Sequence, residues 1–129
     1  MATNLFIDTE CYPNYFLLML KLPDGKKRYF ELDETHKLDT ETIAKFFKER
    51  LTIGFNSLMY DIPMILYALR GKNNAELKEL SDRLISKEEK SFDVINKLSL
   101  WCPGYFDHID IFKIPAGRAS LKMYGARLH

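Results

Sequence analysis

Asp8 and Glu10 are the first residues of this chain whose types and spacing suit chemistry. They follow the apolar run Leu5-Phe6-Ile7 and are separated by one spacer, Thr9. A short apolar run near an N-terminus reads as a buried strand. Side chains alternate along a strand, so Asp8 and Glu10 share one face while Thr9 points to the other. Neighbouring carboxylates repel, and a hard divalent cation such as Mg²⁺ or Mn²⁺ between them relieves the repulsion. Taken alone, Asp-x-Glu is a weak signal and reads as a strand end running into solvent.

A second stretch bears on that choice. Gly54-Phe55-Asn56-Ser57-Leu58-Met59-Tyr60-Asp61 lies at a strand end leading into a helix, where α/β folds place ligand-binding loops. Asn56 and Asp61 are polar residues in an apolar neighbourhood. Two readings are open. Either Asn56 makes a turn and Asp61 caps the next helix, or Asp61 faces Asp8 and Glu10 across adjacent parallel strands. In the second, a third carboxylate joins a cradle for two cations.

The elements that must position these groups follow from pattern. Residues 3–9, 15–22 and 27–32 read as three strands joined by Tyr12-Pro13-Asn14 and Pro23-Asp24-Gly25, an antiparallel meander. The second is apolar enough to be buried on both faces. Asp39 or Thr40 caps a helix ending near Arg50, with Ile43, Phe46 and Phe47 on one face. A fourth strand over 51–55 then pairs parallel to a neighbour through this crossover. Residues 62–70 form a buried helix with Pro63 in its first turn, and 75–90 an amphipathic one ending in the solvated run Lys87-Glu88-Glu89-Lys90. A short helix spans 92–100. A fifth strand is centred on His108-Ile109-Asp110-Ile111-Phe112, Pro115-Ala116-Gly117 breaks it, and Ser120 to Leu128 begins another helix.

The 129 residues fit one domain, 1–129, and 47% hydrophobic with 29% charged residues is ordinary globular composition. The net charge of +1 leaves any nucleic-acid footprint to local groups. Cys11 and Cys102 give no paired metal-ligand spacing, and no run approaches the roughly 18 apolar residues of a membrane span. With no signal peptide read at the N-terminus, the expectation is a cytoplasmic protein with packed thiols and no membrane partner.

Asp8-Thr9-Glu10, followed about fifty residues later by Phe55-Asn56, Tyr60 and Asp61, resembles the first two motifs of the DEDD (DnaQ-like) 3′–5′ exonucleases. The nearest resemblance is to the proofreading domains of family B and phage-type DNA polymerases, whose second motif is aromatic-Asn-x-x-x-aromatic-Asp. It extends to His108-Ile-Asp-Ile-Phe and Ser120-Leu-Lys-Met-Tyr-Gly-Ala-Arg-Leu, and so covers nearly the whole chain. It implies an α/β, ribonuclease H-like fold: a mixed five-stranded sheet, the meander plus two parallel strands, flanked by helices. It also implies two Mg²⁺ or Mn²⁺ ions. Asp8 would bridge them, Glu10 would bind one and Asp61 would hold the second. Asn56 would contact the terminal nucleotide of a single-stranded DNA 3′ end. Phe55 and Tyr60 would pack beside it or stack on bases.

The resemblance also implies a fourth carboxylate on a C-terminal helix, in Tyr-x-x-x-Asp or His-x-x-x-x-Asp. The chain stops at His129 before such a motif, so that helix reads as truncated. Asp110 is the best substitute, yet the family's sheet order sets its strand two away from the first. Asp93 and Asp107 are weaker substitutes, and His108 reads as structural or exposed. Lys113, Arg118, Lys122 and Arg127 could meet phosphates or form a solvated helix face; Lys26, Lys27 and Arg28 read as solvated. The expectation is therefore a proofreading-type exonuclease domain, either a fragment of a phage-type polymerase working in its host's cytoplasm or a chain completed by a partner helix. The alternative is a weakened or inactive module that binds nucleic acid or a protein partner.

Overall fold

The computed structural model describes residues 4–111. Three strands, β1 (Leu5–Tyr12), β2 (Tyr15–Lys21) and β3 (Lys27–Leu32), form the expected antiparallel meander. Pro13-Asn14 turns the first hairpin. Gly25, at φ 92°, turns the second, where the Asp24 carboxylate accepts the Lys26 N–H. A positive φ is cheap only for glycine, which is why the tight turn sits there.

Helix α1 (Thr40–Glu49) starts at Asp39, whose carboxylate accepts both the backbone N–H and the hydroxyl of Thr42. It carries the chain to β4 (Thr52–Gly54), which lies parallel to β1. Helices α2 (Asp61–Leu69), α3 (Asn74–Ile85) and α4 (Ser91–Leu98) follow. A reciprocal cap between Asn73 and Glu76 opens α3. Strand β5 (His108–Asp110) then pairs parallel to β4. The result is an α/β protein with one mixed five-stranded sheet in the order β3-β2-β1-β4-β5.

One sheet face carries the core. Leu5, Ile7 and Thr9 of β1 are buried on the same face as Phe16, Leu18 and Leu20 of β2 and Phe30 of β3. Ile43 and Phe47 of α1, Ile62 and Ile65 of α2, Leu77 and Leu80 of α3, and Val94 and Ile95 of α4 pack with them. Each fully buried aliphatic or aromatic side chain contributes about 1.5–3 kcal/mol. The opposite face presents Phe6, Asp8, Glu10 and Tyr12 beside Leu17, Met19, Tyr29 and Glu31.

This arrangement differs from expectation in three places. β2 is not buried on both faces: Phe16, Leu18 and Leu20 are buried, while Leu17 and Met19 are half-buried on the Asp8 face. Helix α3 stops at Ile85, and the run after it is pinned to it by a 3.2 Å ion pair between Glu89 and Arg83. β1 runs on to Tyr12, past the expected end at residue 9. Residues 112–129, with the expected helix over 120–128 and Lys113, Arg118, Lys122, Arg127 and His129, lie outside the described residues. No helix among the described residues is long and apolar enough to cross a membrane.

Candidate acidic site at the ends of the parallel strands

Asp8 and Glu10 are both exposed, on the face of β1 away from the helices. Thr9 between them is buried against the core. Asp61 begins α2 and is only 7% exposed. Its Oδ1 accepts a short hydrogen bond from the Thr9 hydroxyl. The loop from β4 therefore brings the third carboxylate onto β1 at the Asp8-Thr9-Glu10 stretch, but engages it from the Thr9 side. Asp61 is the first helical residue rather than the cap: Tyr60 holds the cap position, and its side chain makes no capping bond.

Burial pushes the Asp61 carboxyl up to about 7. The Thr9 hydroxyl pulls it back, and the charges of Asp8 and Asp110 raise it further. Taking a carboxylate out of water disfavours its ionised form, and like charges add to that cost. Asp110 is itself buried and opposite Gly54 in the β4–β5 ladder. Its Oδ2 accepts the Leu58 N–H at 2.9 Å. It lies two strands from β1, as expected, yet its charge reaches Asp61, so the strand count overstates its separation from the site.

The loop between β4 and α2 is fixed from beneath by a polar network. His108 Nδ1 lies 2.7 Å from Thr52 Oγ1, and its Nε2 lies 2.6 Å from Ser57 Oγ. Thr52 Oγ1 also donates to the Asp107 carbonyl at 3.3 Å. A neutral imidazole protonated on Nδ1 satisfies all three groups: it donates to Thr52 and accepts from Ser57. Burial pulls His108 down to about 4, consistent with that neutral form. His108 is thus structural. Gly54 is where the loop crosses closest: a Cβ there would meet Ser57 Cβ at 2.5 Å and Oγ at 2.6 Å. Asn56 takes φ 54°, a left-handed turn that Asn tolerates better than most residues.

The two aromatic candidates separate. The Tyr60 hydroxyl lies 2.6 Å from Ser81 Oγ on α3, and its ring packs against the core. Phe55 is 66% exposed at the end of β4. Cys11 and Cys102 are half-buried beside the core, and burial raises both thiols. Asp93 and Asp107 are exposed.

Thr9 and Ser57 also belong to the site, each with its own signal in the sequence. For Thr9 the signal was the strand period itself, which turns the spacer inward. For Ser57 it was the pairing with Gly54 three residues earlier, small enough to let a buried hydroxyl sit against the strand.

Asp8, Glu10 and Asp61 supply hard oxygen donors, and the charges raising Asp61 are carboxylates, a field that favours a divalent cation. In chemistry the residues fit Mg²⁺ or Mn²⁺. In geometry they are not gathered: among the described residues, no group of three or more His, Cys, Asp or Glu side chains converges to hold an ion. No protein-family model, curated protein or solved structure matches the chain.

Proposed function

We propose that this chain is a metal-dependent 3′–5′ exonuclease domain of the proofreading type, acting on single-stranded DNA ends as part of a phage-type DNA polymerase. The observation that carries the reading is the meeting of Asp61, the first residue of α2, with β1 at Asp8-Thr9-Glu10. The sheet order β3-β2-β1-β4-β5, with its meander and parallel pair, is compatible with a ribonuclease H-like arrangement and supports it. Asp8, Glu10 and Asp61 would hold Mg²⁺ or Mn²⁺. A bound divalent pair supplies an activated water and charge stabilisation on the leaving oxygen. The chain's own residues would orient the DNA: Phe55, exposed where β4 ends, and Asn56 next to it would meet the terminal nucleotide. Tyr60 supports the loop from behind through Ser81.

One observation favours a second reading, a module that binds nucleic acid or a protein partner without efficient cleavage. Asp61 is held by Thr9, on the face of β1 opposite Asp8 and Glu10. A cation shared by all three would require the Asp61 carboxylate to serve both sides of the strand, or a partner to complete the set. Digestion of a 3′-labelled single-stranded oligonucleotide with Mn²⁺ or Mg²⁺ separates the readings. A ladder given by the wild type and absent from Asp8→Ala supports the exonuclease. DNA binding without cleavage, by folded protein, supports the module.

A further inference from the structure

Away from the acidic site, two arginines converge on one aromatic ring. Arg28, on edge strand β3, lies with its guanidinium carbon 5.1 Å from the centroid of Phe30 and 5.4 Å from that of Phe46. Arg50, the C-cap of α1, lies 5.2 Å from Phe46. Both open onto a cavity of about 370 Å³, walled also by Thr42, Lys45 and Glu49. That volume is within the range of small-ligand sites, roughly 300–1,000 Å³.

The wall carries three cations against the one carboxylate of Glu49. Among the described residues, the ion pairs are His36–Asp33, Lys72–Glu76, Lys78–Asp82 and Arg83–Glu89, so none engages Arg28, Lys45 or Arg50. Arg28 acts on Asp39 only at longer range, helping to lower that carboxyl. The negative end of α1 accounts for Arg50 at the helix C-terminus. It does not account for Arg28 being brought to the same ring from a different element. A guanidinium stacked on an aromatic face keeps its N–H edge for an acceptor, and that edge matches two oxygens of a phosphate.

We propose that Arg28, Arg50 and Lys45 around Phe46 form a binding site for a phosphate oxyanion, carried either by a single-stranded nucleic acid backbone or by a free phosphomonoester. The site is independent of the exonuclease reading, because it needs none of Asp8, Glu10 or Asp61.

The test is an NMR titration of the full chain in low salt with a chelator in every sample. It follows the Arg28 and Arg50 side-chain N–H signals as inorganic phosphate, an unphosphorylated tetrathymidylate or acetate is added. Expected is a saturable shift of both arginines by phosphate, by the oligonucleotide or by both, at concentrations where acetate moves neither. Affinity should fall about tenfold or more in the Arg28→Gln/Arg50→Gln double variant. A response to the oligonucleotide identifies a backbone phosphodiester, and a response to phosphate alone a free phosphomonoester. If the double variant does not fold, Arg50→Lys, which keeps the charge and loses the fork, should weaken binding by severalfold. The proposal is overturned if millimolar phosphate and oligonucleotide both leave the wild-type arginines unmoved, if acetate moves them equally, or if a folded variant binds as well as the wild type. With metal excluded throughout, this failure says nothing against the exonuclease, and failed cleavage says nothing against this site.

Discussion

The Thr9 hydroxyl donates to the Asp61 carboxylate, tying the spacer of Asp-x-Glu on β1 to the first residue of α2. The contact spans 52 residues of sequence and is buried. It decides which side of β1 the third carboxylate approaches. Thr9→Val keeps volume and β-branching and removes only the donor. It should cost about 1–2 kcal/mol, because a buried acceptor loses its partner, while Thr9→Ser should cost less. Urea denaturation of the three proteins measures this. Equal stability of Thr9→Val and wild type would show that the bond contributes nothing.

The buried Asp61 and the half-buried His108 set opposite pH dependences. The Asp61 carboxyl titrates near 7, against about 3.8 unfolded, so its contribution is present at low pH and is lost as pH rises through about 7. His108 titrates near 4, against 6.5 unfolded, so its contribution is present above 6.5 and is lost as pH falls toward 4. In chelator the two slopes oppose each other across pH 4–6.5. Asp61→Asn removes one, so this variant should lose stability on acidification more steeply than the wild type, by roughly 3 kcal/mol between pH 6.5 and 4. Parallel stability–pH curves for the two proteins would contradict the assignment.

Much of this architecture was legible in the chain. The meander followed from two turn signals between apolar runs, and the parallel β4 from the helix separating it from β3. The limits of legibility are local. Alternation of β1 put Thr9 opposite Asp8, but nothing in the spacing showed that Asp61 would bond to Thr9. Asp61's orientation depends on the path of the 55–60 loop, set by Asn56 at positive φ and Ser57 packed on Gly54. Counting strands placed Asp110 away from β1. It could not show that a buried side chain would turn toward the Leu58 N–H and act on Asp61.

Gly54→Ala tests that loop path. Its Cβ would fall 2.5 Å from Ser57 Cβ and 3.2 Å from Ile7 Cγ1, so the loop or the strand must move. The displaced Ser57 would also lose its bond to His108. Overpacking of this kind costs about 1–3 kcal/mol. Thermal melting should show the loss, and a melting temperature within error of the wild type would mean the loop yields freely.

The aromatics at the site should divide into support and contact. Tyr60→Phe removes the hydroxyl bonded to Ser81 and should cost about 1 kcal/mol of stability while leaving DNA affinity nearly unchanged. Phe55→Ala should do the reverse for DNA, weakening single-strand binding by about tenfold if one base stacks on the ring. Fluorescence anisotropy with a labelled oligonucleotide, beside melting curves, separates them. Unchanged DNA affinity in Phe55→Ala removes Phe55 from the interface.

Metal addition gives the most direct reading of the acidic site. Asp8 and the buried Asp61 repel in the metal-free protein, so a divalent cation between them removes an unfavourable interaction as well as adding ligand bonds. A ligand that binds only the folded state stabilises it by about 2.7 kcal/mol at a hundredfold excess over its dissociation constant. Mn²⁺ should therefore raise the melting temperature in a concentration-dependent way, chelator should reverse the rise, and Asp8→Ala and Asp61→Asn should each abolish most of it. The engagement of Asp61 by Thr9 from the far side of β1 predicts weak binding, with millimolar rather than micromolar Mn²⁺ needed. A shift of equal size in Asp8→Ala would place the ion elsewhere on the surface. No shift in any protein would mean that these carboxylates, as this chain arranges them, hold no ion without a partner.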